Sequence, residues 1–310
     1  MRRKLRSLPS VLITGCNGQI GFELRRRLAP VGRVVALDRA ACDLSQTDAI
    51  RKAMRTFRPD IVVNAAGYTD VDKAEADAEL AFAINSTAVG VLAQECVALQ
   101  CLLIHYSTDY VFDGNKQLPY VETDVANPGS IYGKSKLAGE EAIARSEVRA
   151  LTLRTGWVAG AHGDNFVKRI LKQGCCQQTL SVVADRFGTP TTAPRIANVT
   201  ADLVRKYCEF EDQRSFPFGL YHLAASGQTD WHTYAVEILT CARARGIALR
   251  AQPEQVIAVS AMEYPRVAPR PRNSCLDATK IQRVFGIQLP EWKIDVHDVL
   301  DEVFQRVRDE

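Results

Sequence analysis

Three glycines spaced three apart, in Val11-Leu-Ile-Thr-Gly15-Cys-Asn-Gly18-Gln-Ile-Gly21, sit between an apolar β-branched run and an amphipathic stretch. A strand must end and a helix must begin within a few residues, and the first N–H groups of that helix then point outward without partners. Such a turn is a ready seat for phosphate. Gly15 is expected to permit the tight turn, Gly18 to admit a diphosphate to the backbone, and Gly21 to let the helix sit close on the strand. Asn17, Gln19 and Ile20, between and beside the glycines, are counted with them as ligand-facing positions.

About twenty residues further on, Asp38 ends a second β-branched run, where a carboxylate can accept hydrogen bonds from the ribose hydroxyls of an adenine dinucleotide. That favours NADH. Arg39 follows directly, and its planar guanidinium suits the 2′-phosphate of NADPH, so both cofactors remain open. Asp43 and Leu44 are placed to cap the adenine, and Ala65, Ala66 and Gly67 offer small side chains beside the cofactor at the end of a third run.

The first half of the chain alternates apolar runs (11–14, 33–37, 61–64, 102–106, 151–154) with helical stretches (19–28, 48–57, 79–99, 132–145). Strands apolar on both faces belong in a parallel sheet covered by helices, so the expected fold is α/β, a doubly wound Rossmann sheet. Its 310 residues allow about two domains. We expect a dinucleotide-binding domain over 1–160 and a smaller, interleaved substrate-binding lobe over 161–310. Segments such as 220–224 of that lobe are expected to return to the main sheet.

The net charge of +3 excludes nucleic acid or an anionic membrane as a partner attracted by bulk charge. No apolar run approaches the ~18 residues of a membrane span, and the basic start Met1 to Arg6 leads into Ser-Leu-Pro-Ser rather than an apolar signal core. An untargeted, cytoplasmic chain is expected. Nine cysteines without a C-x-x-C pair fit reduced thiols rather than a zinc site, and the five histidines, His105 among them, show no ligand spacing and are taken as structural or surface residues.

Tyr132-Gly-Lys-Ser-Lys136 opens an amphipathic stretch, and a separation of four puts the phenol and the ammonium on one helix face. The lysine charge is expected to lower the phenol from its usual value near 10, making Tyr132 a usable acid. Thr108, where the run ending at Tyr106 passes into hydroxyl residues at the sheet's carboxyl edge, is expected to hold a substrate carbonyl beside Tyr132.

With these pieces stand Asn64-Ala-Ala, Tyr106-Ser-Thr-Asp-Tyr-Val-Phe112, Tyr132-Gly-Lys-Ser-Lys-Leu-Ala-Gly-Glu140, Arg154-Thr-Gly-Trp157, Asn165-Phe166, Asp185-Arg-Phe-Gly-Thr-Pro-Thr191, Gly219-Leu-Tyr-His-Leu223 and Arg270-Pro-Arg-Asn-Ser274. Along nearly its full length the chain resembles the extended short-chain dehydrogenases, and within them the branch that reduces 4-keto dTDP-sugars. The resemblance implies reduction of dTDP-4-dehydro-L-rhamnose to dTDP-L-rhamnose, with Thr108, Tyr132 and Lys136 in the reductase roles and Lys136 also on the nicotinamide ribose. It places Tyr110 and Trp157 in the sugar pocket, and Asn165, the loop around Gly188 and Pro190, and the Arg270 segment at the nucleotide diphosphate.

Dehydratases of the superfamily carry Asp-Glu after the threonine, whereas here Asp109-Tyr110 follows Thr108, so the second carboxylate needed to eliminate water is missing. Reduction of another 4-keto nucleotide sugar and a non-catalytic NADP-binding role, like that of the regulatory partner of methionine adenosyltransferase, are the alternatives. Some reductases of this type bind magnesium at a dimer contact. Glu23 and Glu302 match two of the acids, but Pro194 replaces a third, so no metal ligands are assigned, and monomer and homodimer both stay open. Arg186 stands where a polar amide is usual, a difference at the pocket edge.

Overall fold

The computed structural model describes residues 8–309; the basic start Met1 to Arg6 lies outside them. Six parallel strands form the main sheet: β1 (Ser10–Thr14), β2 (Arg33–Leu37), β3 (Ile61–Asn64), β4 (Leu102–Thr108), β5 (Ala150–Thr155) and β6 (Gly219–His222). Their spatial order is β2-β1-β3-β4-β5-β6. The chain moves outward from β1 to β2 and then returns to the other side of β1, so the loops after β1 and β3 diverge and open a crevice at their carboxyl ends.

Helices α1 (Gln19–Leu28), α2 (Thr47–Phe57), α3 (Ala78–Leu99) and α4 (Ile131–Ala144) occupy the first half. In the second half follow α5 (Phe166–Cys176), α6 (Ala193–Glu209), α7 (Trp231–Ala244), α8 (Thr279–Phe285) and α9 (Trp292–Asp309). The apolar strands are explained by alternation: Val11 and Ile13 pack into a layer with α1, α6 and α8, while Leu12 between them packs into the opposite layer with α2 and α3. Helix α3 is long and apolar enough to cross a membrane by composition, but Val89, Leu92 and Cys96 are spent inside the second layer.

The remaining segments build a separate core in which Tyr234 and Leu239 of α7 meet Ile170 of α5 and Val299 of α9. Leu180–Val183 pairs in parallel with Val256–Val259 at its edge. The segment expected to return to the sheet does so as β6, registered against β5 from Gly219↔Leu151 to His222↔Arg154. Beneath β5, Arg154 and Glu140 of α4 form a buried bidentate pair of 2.9 and 2.6 Å, with the Ser107 hydroxyl donating to the same carboxylate. This network fixes the carboxyl end of β4 to α4.

Candidate active site

A cavity of about 750 Å³ follows the crevice along the carboxyl ends of β1, β3, β4 and β5. Of the residues expected at the cofactor, Gly15, Asn17, Gly18, Gln19, Ile20, Asp38, Arg39, Asp43, Leu44, Ala65, Ala66 and Gly67 line it. Gly15 has φ +70°, and a Cβ there would stand 2.6 Å from the Ala66 backbone, so the two diverging loops can meet only at a glycine. Gly21 lies behind the wall, where a Cβ would fall 2.1 Å from the Gly15 carbonyl oxygen; it seats α1 on the turn. Gly18 caps α1 without any side-chain hydrogen bond, which leaves the helix's first N–H groups for a ligand. The crevice therefore fits a dinucleotide.

Asp38 accepts from the Ala41 N–H at 3.0 Å and from the Asn17 amide at 3.2 Å, both at the cavity rim. Arg39 pairs at 3.5 Å with Asp43, whose carboxyl is held below its usual range chiefly by hydrogen bonds from Ser45. Carboxylate and guanidinium thus stand side by side on the wall of the cavity.

Deeper in the same cavity, Thr108, Tyr132 and Lys136 converge with Asp109 and Tyr110. Helix α4 starts where it does because Ser130 accepts from Gly133 N at 3.1 Å and Glu75 accepts from Ile131 N at 2.8 Å. The Tyr110 ring meets Tyr132 edge-on at 5.9 Å. Thr108 accepts from Tyr110 N at 3.1 Å and donates to the buried Asp109 carboxyl at 3.0 Å; burial pushes that carboxyl up to about 6.

The expected lowering of the Tyr132 phenol is not found. Burial pushes it up to about 12, opposed by a hydrogen bond with Thr108. The lysine charge is engaged elsewhere: Lys136 Nζ donates to the Tyr106 carbonyl at 2.6 Å and lies 3.4 Å from His105 Nε2. Burial also brings the Lys136 ammonium down to about 8.

The residues expected at the sugar and nucleotide separate. Trp157 lines the main cavity with a left-handed φ of 49°, its ring stacked 3.5 Å from Trp231 and its Nε1 donating to Ser274 Oγ at 3.1 Å. Gly188 lies against the far side of that ring, and neither it nor Pro190 lines the two larger cavities. Asn165 is outside them too, its amide donating to Gln19 Oε1 at 3.0 Å and Gly160 O at 2.7 Å while its oxygen caps α5. Arg270 lines a second cavity of about 390 Å³ together with Arg169, Arg186, Arg266, Tyr264 and Trp231. Burial first, and then the neighbouring Arg266 and Arg270 charges, depress the Arg169 guanidinium.

Asn85 was not singled out from the sequence. It sits in a π-helical stretch of α3, Ala83–Thr87, accepts from Tyr68 N at 2.9 Å and donates to Tyr68 O at 2.9 Å and Ser135 Oγ at 3.0 Å. It therefore ties the loop after β3 to α4. Its signal was faint: Asn-Ser-Thr at 85–87 interrupts an otherwise apolar helix.

The residues at the position where some reductases of this type bind magnesium do not fit a metal. Arg26 bonds both oxygens of Glu23, at 3.2 and 3.3 Å, and reaches Glu302 at 3.5 Å, so a cation of the chain's own already bridges the two acids.

The family model described as RmlD substrate binding domain matches residues 9–305. The dTDP-4-dehydrorhamnose reductase of Salmonella typhimurium is 42% identical over 299 residues, covering 95% of this chain and 98% of that protein. The reductase of the same name from Burkholderia thailandensis is 42% identical over 286 residues, 92% of this chain and 96% of that one. Among solved structures, the dTDP-4-dehydrorhamnose reductase of Bacillus anthracis in complex with NADP superposes with a TM-score of 0.84 at 30% identity, covering 96% of this chain and 99% of that one. That of Clostridium acetobutylicum gives 0.86 at 32% identity, covering 95% and 99%. The chain belongs to the dTDP-4-dehydrorhamnose reductase family.

Proposed function

We propose that the protein reduces the 4-keto group of dTDP-4-dehydro-L-rhamnose to dTDP-L-rhamnose at the expense of NADPH or NADH. The observation that carries this reading is the convergence of Thr108, Tyr132 and Lys136 in one cavity with the glycine turn. Gly15, Gly18 and the open start of α1 would hold the diphosphate of the dinucleotide, Asp38 and Arg39 its second ribose, and Lys136 its nicotinamide ribose. When bound, the nicotinamide supplies the hydride that reduces the carbonyl carbon.

The chain's own residues handle the oxygen. Thr108 orients the carbonyl beside the Tyr132 hydroxyl, and Tyr132, protonated throughout the neutral range, gives its proton to the oxygen as negative charge develops there. Lys136, one helical turn away, stabilises the phenolate left behind until solvent restores its proton. The arginines of the second cavity suit the sugar's own diphosphate and nucleotide.

Mixing the protein with NADPH and freshly made dTDP-4-dehydro-L-rhamnose tests the reading directly: absorbance of the reduced nicotinamide should fall in step with the sugar added. Because Arg186 lines the second cavity where an amide is usual, the same assay should include other 4-keto nucleotide sugars. Faster turnover of one of these would reassign the substrate, and no turnover of any would reject the reductase.

A further inference from the structure

His105 shows no ligand spacing in sequence, yet it is wholly buried at the active site between Asn64 and Lys136. Sheet register puts it there. Thr14 pairs with Asn64 across β1 and β3, and Asn64 with His105 across β3 and β4, so the three side chains leave one face of the sheet in a row. The row is hydrogen-bonded from end to end. Thr14 Oγ1 donates to Asn64 Oδ1 at 2.7 Å, Asn64 Nδ2 lies 3.0 Å from His105 Nδ1, and His105 Nε2 lies 3.4 Å from Lys136 Nζ.

The protons of this row are interdependent. A neutral imidazole offers one donor and one acceptor, and an ammonium offers only donors. An ammonium at Lys136 requires Nε2 to accept, hence a proton on Nδ1, hence the Asn64 oxygen at Nδ1 and its NH₂ toward Thr14. The reverse arrangement, which is how the Asn64 amide stands in the structure, puts the NH₂ at Nδ1 and leaves Nε2 to donate to Nζ, and it suits a neutral amine. A half-turn of the Asn64 amide interconverts the two. Burial keeps the ring itself uncharged, since it holds the imidazole well below its usual range.

We propose that His105 is a positioning residue for Lys136: its Nε2 holds Nζ in place beside Tyr132, and its tautomer, set through Asn64, is matched to the charge of the lysine. The inference rests on the catalytic reading of Lys136 given above. The charged and titratable groups around the lysine are few. Tyr132 and Glu140 lie on its own helix, Glu140 neutralised by Arg154 of β5, and Asp109 faces Tyr132 from the end of β4. With the Asn64 amide turned over, His105 adds a second neutral acceptor beside the Tyr106 carbonyl, which takes the lysine at 2.6 Å, and so supports an ammonium deep in the site. Without it the lysine would lose its proton at lower pH.

Three substitutions test this, with the pH profile of kcat as readout. Glutamine carries its amide about as far from the backbone as Nε2, and asparagine about as far as Nδ1. His105→Gln should therefore keep the wild-type profile. His105→Asn and His105→Leu should move its alkaline limb down by about one pH unit, about a tenfold loss of turnover on that side. NADPH titrations over the same pH range read Lys136 without any sugar, so they remain informative if the wild-type chain does not turn over the 4-keto sugar and the substrate reading fails. In the asparagine and leucine variants only, affinity should begin to fall from a lower pH as the pH is raised. Superimposable profiles in all four proteins, or one equal shift in all three variants, would overturn the proposal.

Discussion

Asp72 and Arg270 meet across a sequence separation of 198 through two parallel hydrogen bonds of 2.9 Å, Nη1 to Oδ1 and Nη2 to Oδ2. The Arg270 guanidinium holds the Asp72 carboxyl down to about 2, so the pair stays charged. It joins the short helix Val71–Ala74, after β3, to the wall of the arginine-lined cavity. If Arg270 receives the substrate diphosphate, its contact is the same in ground and transition states. Arg270→Ala should then raise KM for the sugar nucleotide by roughly 10- to 100-fold with a much smaller change in kcat. Steady-state kinetics would sink the assignment by showing an unchanged KM.

Tyr132→Phe removes the proton donor and little else. Turnover should drop by roughly 10²-fold or more while NADPH affinity, read by fluorescence titration, stays nearly constant. A variant that turns over like wild type would mean that another group protonates the oxygen.

Asp38 and Arg39 stand together at the rim of the dinucleotide crevice. Asp38→Ala should weaken NADH more than NADPH, because only NADH presents both ribose hydroxyls to a carboxylate. Binding titrations with the two cofactors decide it, and equal losses would show that Asp38 does not read the ribose.

Asp109 sets a pH dependence of stability. Burial raises its carboxyl from 3.8 to about 6, so the folded chain keeps a proton that the unfolded chain has released. Stability from this group is complete below the ordinary carboxylate range and is lost as pH rises through about 6. Asp109→Asn should accordingly stabilise the fold near pH 7 by up to about 3 kcal/mol and do nothing near pH 3. Denaturant melts at the two pH values test this, and equal gains at both would rule out ionisation as the cause.

The doubly wound sheet was legible because its strands are covered on both faces, which writes them as unbroken apolar runs such as Ile61–Val63. The glycine turn was legible because its spacing is local. His105 was not, since its link to Lys136 depends on the register of three strands that no local pattern encodes. The same holds for Asp72, whose partner lies in the other half of the chain, and for Asn85, which a π turn rotates away from the face that a regular α-helix would give it. Asn165 is a motif residue visible in the sequence, and the fold ties its amide to Gln19 and Gly160.

One of the two edge strands of the main sheet, β6, arrives only after the chain has passed through α5 and α6. A gene fragment ending near residue 160 would encode every group of the glycine turn and the Tyr132 helix. It would still leave β5 as a bare apolar margin and strip α6 from beneath β1. Such a fragment should precipitate rather than bind nucleotide, and the boundary along which this enzyme could be dissected or fused does not run where its motifs end.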